Sequence, residues 1–165
     1  MTQRQNVRIG KIGEYLAAAT LESIDISCDI IRQDGFDILA YLKDKIIRVQ
    51  VKSTLTAKKT NDRGKVKYSF YCAKNSNKTL LDIGDCDVIA LVAIDIKRVK
   101  FIPITDLNAK HHRLDPEVFE PKNLESESWD DSIRSIAKSS ALRNNRRRGK
   151  PKRDRQLPSA DDASD

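Results

Sequence analysis

The sequence predicts an α+β domain: a leading helix, a mixed central sheet of about five to six strands, and a short C-terminal helix followed by a disordered basic tail. Three observations carry that reading. Residues 10–25 place apolar side chains at helical spacing. Residues 26–54 hold three strand-like runs whose connections are too short for anything but antiparallel neighbours. "DVIALVAID" (87–95) is apolar throughout, as a central strand covered on both faces must be.

The elements follow in chain order. In "GKIGEYLAAATLESID" (10–25) Ile12, Tyr15, Leu16 and Ala19 recur at helical spacing and Ala17 to Ala19 are strong helix formers. "ISCDIIR" (26–32), a turn at Asp34-Gly35, "FDILAYLK" (36–43), a turn around Asp44 and "KIIRVQVKST" (45–54) make a three-stranded meander. The polar residues 55–65 form a loop. "VKYSFYCAK" (66–74), rich in aromatic and β-branched side chains, is a further strand. "RVKFIPI" (98–104) pairs with 87–95 as a hairpin, and Pro103 suits the end of an edge strand. Beyond residue 105 the pattern weakens to a capped turn at Thr105-Asp106 and a helix over 128–143, with Ser128 as its cap.

A chain of 165 residues, 39% apolar and 33% charged, supports one domain with a real core. The domain spans 1–140 and the tail 141–165. Residues 1–20 hold no apolar run long enough for a signal peptide or membrane span. Cys28, Cys72 and Cys86 are odd in number, far apart and set in apolar runs, which fits buried free thiols in a reducing, cytoplasmic compartment better than a disulfide or zinc site.

The net charge of +7 is concentrated. Residues 143–155, "RNNRRRGKPKRDR", hold eight Lys or Arg against one Asp, a net of +7 in that block alone. Arg146, Arg147, Arg148, Lys150 and Lys152 therefore point to a polyanion such as DNA, whose bound counterions they would release. A solvated tail is the alternative. Lys58, Lys59 and Arg63, with Lys65 and Lys67, surround the 55–65 loop and are equally compatible with phosphate contact and with simple solvation.

The strand 45–54 raises the question of chemistry. Ile47, Val49 and Val51 alternate with Arg48, Gln50 and Lys52, so Gln50 and Lys52 share a face about 7 Å apart. If 36–43 and 45–54 pair as a hairpin, Asp37 lies nearly opposite Lys52. Glu14 sits on the first helix, and Gly10 and Gly13, read as a preceding turn, would let that helix approach the sheet closely. Carboxylates of this kind hold a hard, oxygen-seeking cation, and a neighbouring lysine can position or deprotonate a water and stabilise developing negative charge. A half-solvated antiparallel sheet with an ordinary polar face is the alternative.

Together, Glu14, Gly35-Phe36-Asp37 and Gln50-Val51-Lys52-Ser53-Thr54 resemble the PD-(D/E)XK nuclease superfamily: a helix Glu, a strand Asp, then (Glu/Asp/Gln)-x-Lys. The aromatic strand 66–74 and the hairpin 87–104 resemble its small single-domain branch of Holliday-junction resolvase-like proteins and homing endonucleases. The resemblance covers about residues 10–105. It departs from the pattern at Gln50, where many members carry a carboxylate, and at Phe36, where the motif's name has proline.

The resemblance implies a Mg²⁺-dependent endodeoxyribonuclease, with Mn²⁺ as a substitute, acting as a homodimer or larger assembly on DNA. Asp37 would be the main metal ligand, Glu14 a supporting one, Gln50 and the Val51 carbonyl further ligands, and Lys52 the catalytic lysine. Branched DNA is the first substrate reading and a specific duplex site the second. A catalytically inactive nucleic-acid-binding protein of the same fold is a further alternative, and a basic adaptor another. Asp87 is read as a strand-start residue or a further acid near the site. His111 and His112 are read as surface histidines, Trp129 as docking the last helix on the domain, and Arg48 as meeting phosphate or solvent.

Overall fold

The computed structural model describes residues 2–59, 64–74 and 78–148, with side chains of the last helix described as far as residue 141. Helix α1 (Gln3–Ser23) leads into β1 (Cys28–Gln33), β2 (Phe36–Leu42) and β3 (Lys45–Thr54). After a two-residue strand β4 (Lys58–Lys59) come β5 (Val66–Tyr71), β6 (Val88–Ala93), β7 (Arg98–Pro103), β8 (His111–Leu114) and helix α2 (Leu124–Arg148).

The central sheet has five strands in the order β1-β2-β3-β6-β7. It is mixed: β3 and β6 run parallel, and the other neighbours antiparallel. The strand expected over 66–74 does not join it. As β5 it lies with β4 and β8 in a second, three-stranded sheet.

Two apolar layers cover the central sheet, and β6 shows why its sequence is apolar throughout. Val88, Ala90 and Val92 pack with Ala17 and Leu21 of α1 and Trp129 of α2. Ile89, Leu91 and Ala93 pack instead with Tyr68 and Phe70 of the small sheet. A strand buried on both faces cannot alternate with polar residues. The rings of Trp129 and Phe101 meet edge to face at 5.2 Å, so Trp129 docks α2 as the sequence suggests.

The first helix begins seven residues earlier than its apolar periodicity indicates, at Gln3 rather than Gly10. Thr2 caps it: its hydroxyl accepts from the Gln5 amide at 3.3 Å and the Gln5 side chain accepts from the Thr2 amide at 2.8 Å. This reciprocal cap satisfies two of the free donors at the helix start and extends the helix through polar residues. Gly10 and Gly13 are thus inside the helix rather than on a turn before it. Gly13 has a packing reason: a Cβ there would lie 2.6 Å from Ser53 Cβ of β3. Gly10 has none, with nothing within 4 Å.

The last helix is longer than expected and starts earlier, at Leu124. Ser128 does not cap it. Its hydroxyl accepts from the Phe101 amide at 3.1 Å and ties the helix to β7. Arg98 of β7 fastens the helix start, with Nε 2.6 Å from Glu125 Oε1. Because α2 runs to Arg148, the expected boundary at residue 140 falls inside it.

Candidate active site

The site forms where the open end of the β2–β3 pair meets the segment after β5. The β2–β3 register sets Ile38 opposite Val49, which one step further sets Asp37 opposite Gln50. The expected Asp37–Lys52 pairing is therefore shifted by two residues: Lys52 lies one same-face step beyond Gln50. The register is fixed by the apolar residues of both strands, because a slip would turn Ile38, Ala40, Ile47 and Val49 out of the core.

Asp37 Oδ2 accepts from the Val51 amide at 2.7 Å and from the Gln50 side-chain amide. The same Gln50 nitrogen reaches the Val51 carbonyl at 3.3 Å. Two oxygens thus converge on one amide group, on a residue that is itself only 8% exposed. The second apolar layer explains this burial. The polar face of β3 lies under the segment following β5, so it is not the half-solvated face of a single sheet.

Burial pushes the Asp37 carboxyl above the usual aspartate value, and the nearby Glu14 carboxylate pushes the same way. The Val51 N–H, Lys52 and Arg32 oppose that shift without cancelling it. Lys52 makes no hydrogen bond or ion pair with any described residue. Asp37, Gln50 and Lys52 line a cleft of about 280 Å³ with Gly35 of the β1–β2 turn and Ala73, Lys74 and Asp85 opposite.

Glu14 is not among the residues lining that cleft. It is bound by Arg32, whose Nε lies 2.6 Å from Glu14 Oε2. A break in the β1–β2 register between Ile30 and Gln33 accounts for this contact, with Arg32 in the left-handed region at φ 52°. Such bulges redirect a side chain, here from the strand onto the helix. Arg32 carries no motif that would single it out in the sequence.

Sequence reasoning also missed Lys74 and Asp85. Lys74 Nζ lies 2.9 Å from Asp85 Oδ2 at the cleft wall. Gly35, at φ +94°, lets the β1–β2 turn close on Asp85, since a Cβ there would lie 3.2 Å from its backbone. Asp87, the other candidate acid, is engaged elsewhere. Its carboxylate accepts from the Arg48 backbone amide at 2.9 Å and from the guanidinium at 3.0 and 3.1 Å. Arg48 therefore spends its guanidinium chiefly on protein partners, with its side chain still 31% exposed.

Among the expected DNA-contacting residues, Lys58 and Lys59 are exposed on β4. Arg63, Lys150 and Lys152 lie outside the described residues, as do the side chains of Arg146, Arg147 and Arg148 at the end of α2. His111 is exposed and His112 half-buried in β8, a strand that left no signal in the sequence. Burial lowers the His112 value, with Lys100 adding to the shift. Cys72 and Cys86 are buried, Cys28 is half-buried, and all three are free thiols.

The donor set is all oxygen. Among the described residues no three His, Cys, Asp or Glu side chains form a metal-binding cluster. The Asp37 carboxylate and the Val51 carbonyl, together with a Gln50 amide turned by its oxygen, nevertheless fit the oxygen preference of Mg²⁺. Which end of the amide faces inward is set by its hydrogen-bond partners.

The chain is thus an α+β domain with two apolar layers, in which a carboxylate, an amide and a lysine without a partner among the described residues gather at one end of the β2–β3 pair. The chain is similar to the solved structure of a bacterial homing endonuclease, I-Ssp6803I, with a TM-score of 0.56 at 14% identity, over 81% of this chain and 95% of that one. At that identity the likeness establishes a shared fold. No family model and no curated protein matches the sequence. Among the described residues, no helix is long and apolar enough to cross a membrane.

Proposed function

We propose that the chain is a divalent-metal-dependent DNA endonuclease of the PD-(D/E)XK superfamily, acting as a homodimer so that two cleft copies cut two strands. The observation that carries the reading is the convergence of the Asp37 carboxylate and the Val51 carbonyl on one buried amide, beside a Lys52 without a partner among the described residues, in a cleft.

Asp37, the Val51 carbonyl and the Gln50 amide oxygen would hold Mg²⁺ or Mn²⁺, with Glu14 in support once it leaves Arg32. Bound there, such an ion would supply Lewis acidity toward a phosphoryl oxygen and a more acidic water. The chain's own groups do the rest. Lys52 brings a positive charge to the scissile phosphate and can orient an attacking water. Lys74, held by Asp85, brings a second cation to the opposite wall.

The fold likeness to a homing endonuclease supports a specific duplex target. A small core that reads shape and backbone rather than many base edges suits branched DNA equally. The test incubates the protein with a four-way junction, linear duplex and supercoiled plasmid, with Mg²⁺ or with chelator. Cleavage that needs Mg²⁺ and disappears in Asp37→Ala supports the reading. Binding without cleavage under every metal tried would leave a DNA-binding protein of this fold instead.

A further inference from the structure

The outer face of the small sheet carries a charge pattern that folding does not require. Lys58 pairs directly with Lys67 across β4 and β5, and Ser69 pairs with Arg113 across β5 and β8. Like charges set opposite one another across an antiparallel pair destabilise it. One carboxylate among the described residues answers them: Asp115 lies 3.3 Å from Lys67 Nζ. Lys58 and Arg113 form no ion pair with any described residue.

These cations, with Thr54, Thr56 and Ser69, line a groove of about 260 Å³. Strand alternation sorts the face. Tyr68 and Phe70 point into the core, which leaves Lys67, Ser69 and Tyr71 outside. Tyr71 stands opposite His111, their rings 5.0 Å apart, and Tyr71 is 44% exposed. The face thus runs from a cationic end to an aromatic end.

The groove and the cleft draw on the same two stretches of chain, β3 and the end of β5. Thr54 lies on the same face of β3 as Gln50 and Lys52, about 7 Å beyond Lys52. At the other end, Ala73 and Lys74 lie two and three residues past the end of β5 and form cleft wall.

We infer that this sheet face is a platform for the DNA backbone flanking the scissile bond. Lys58, Lys67 and Arg113 take phosphates, the hydroxyls of Thr54, Thr56 and Ser69 donate to phosphate oxygens, and the Tyr71–His111 ring pair packs on sugar or an unstacked base. A regularly charged polymer is the partner that turns the Lys58–Lys67 repulsion into attraction, because each neutralised phosphate releases counterions. Base–aromatic stacking explains an exposed ring pair beside cations. The inference rests on the nuclease reading for where DNA is cut, and stands apart from it for where DNA is held.

The test measures binding of the full chain to a short duplex DNA in chelator across a salt series. Lys58→Ala/Lys67→Ala/Arg113→Ala is expected to flatten the log–log salt slope by about 3, one for each phosphate left without its cation. The charge-retaining Lys58→Arg/Lys67→Arg/Arg113→Lys variant should restore it. Lys58→Ala alone should melt no lower than the wild type, since it removes a like-charge pair. A folded triple Ala variant with an unchanged slope overturns the platform, as does binding to duplex RNA but not to DNA. Steep, platform-dependent binding without cleavage would leave the platform standing and sink the nuclease reading. Cleavage with an unaltered slope in the triple variant would do the reverse.

Discussion

Arg48 and Lys52 lie four residues apart on one face of β3, and the fold treats them oppositely. Arg48 is heavily engaged: beyond its bonds to Asp87, its guanidinium donates to the Gly84 carbonyl at 2.8 Å and the Ile83 carbonyl at 3.0 Å. Lys52 has no partner among the described residues and faces the cleft. One cation closes the sheet onto the loop before β6, and the other is left available at the site. In a single strand, position relative to the next layer separates a bonded charge from one without a described partner.

The sharpest break of that contrast comes at Asp37. Asp37→Asn should reduce DNA cleavage by about 10²–10³-fold, the cost of removing one charge-stabilising group from a preorganised site. It should also raise the melting temperature at neutral pH, which a merely structural aspartate would not do. The sign follows from burial. The folded-state carboxyl titrates above the ordinary value of about 3.9, so its contribution to stability is greatest below that value and falls as pH rises through the folded one. The difference in melting temperature between wild type and variant should therefore shrink toward low pH. A variant that melts lower than the wild type at neutral pH would contradict this account of the site.

At the other end of the strand, Arg48→Met should destabilise the fold by about 1.5–3 kcal/mol, since Asp87 loses its charged donor. Thermal unfolding measures this. Cleavage per folded molecule should stay near the wild-type level. Smaller effects test how α1 is seated. Gly13→Ala forces a Cβ against Ser53 and should cost about 1–3 kcal/mol by denaturant unfolding. Gly10→Ala meets nothing and should stabilise the helix by about 1 kcal/mol. Equal effects at the two glycines would remove the packing argument.

The contrast between the two cations was only half legible in the sequence. Period-2 alternation exposes which residues share a face, and on that basis Arg48, Gln50 and Lys52 look equivalent. What separates them is the second layer, built by β5 and the 78–87 segment. The sequence announces β5 as a strand but not its place in that layer, because its partner β8 is a polar four-residue strand, "HHRL". The β1–β2–β3 meander, the doubly buried β6 and the β6–β7 hairpin were legible because turn chemistry and apolar runs act over short spans. The placement of Asp37, Gln50 and Lys52 at one sheet end was legible for the same reason. The Arg32 bulge, the Lys74–Asp85 pair and the shifted Asp37–Gln50 register depend on contacts made by the completed fold. The early start of α1 was available in principle: Thr2 and Gln5 have the spacing of a reciprocal cap, but no apolar periodicity follows them closely enough to draw attention.

The central claim is that Lys52, and not Arg48, is the cation of β3 that serves phosphodiester cleavage. Single-turnover cleavage of supercoiled plasmid with Mg²⁺, compared between Lys52→Met and Arg48→Met at matched folded concentration, tests it most directly. The account predicts that Lys52→Met loses cleavage by at least about a hundredfold while Arg48→Met cuts like the wild type. Loss in Arg48→Met with retention in Lys52→Met would contradict it.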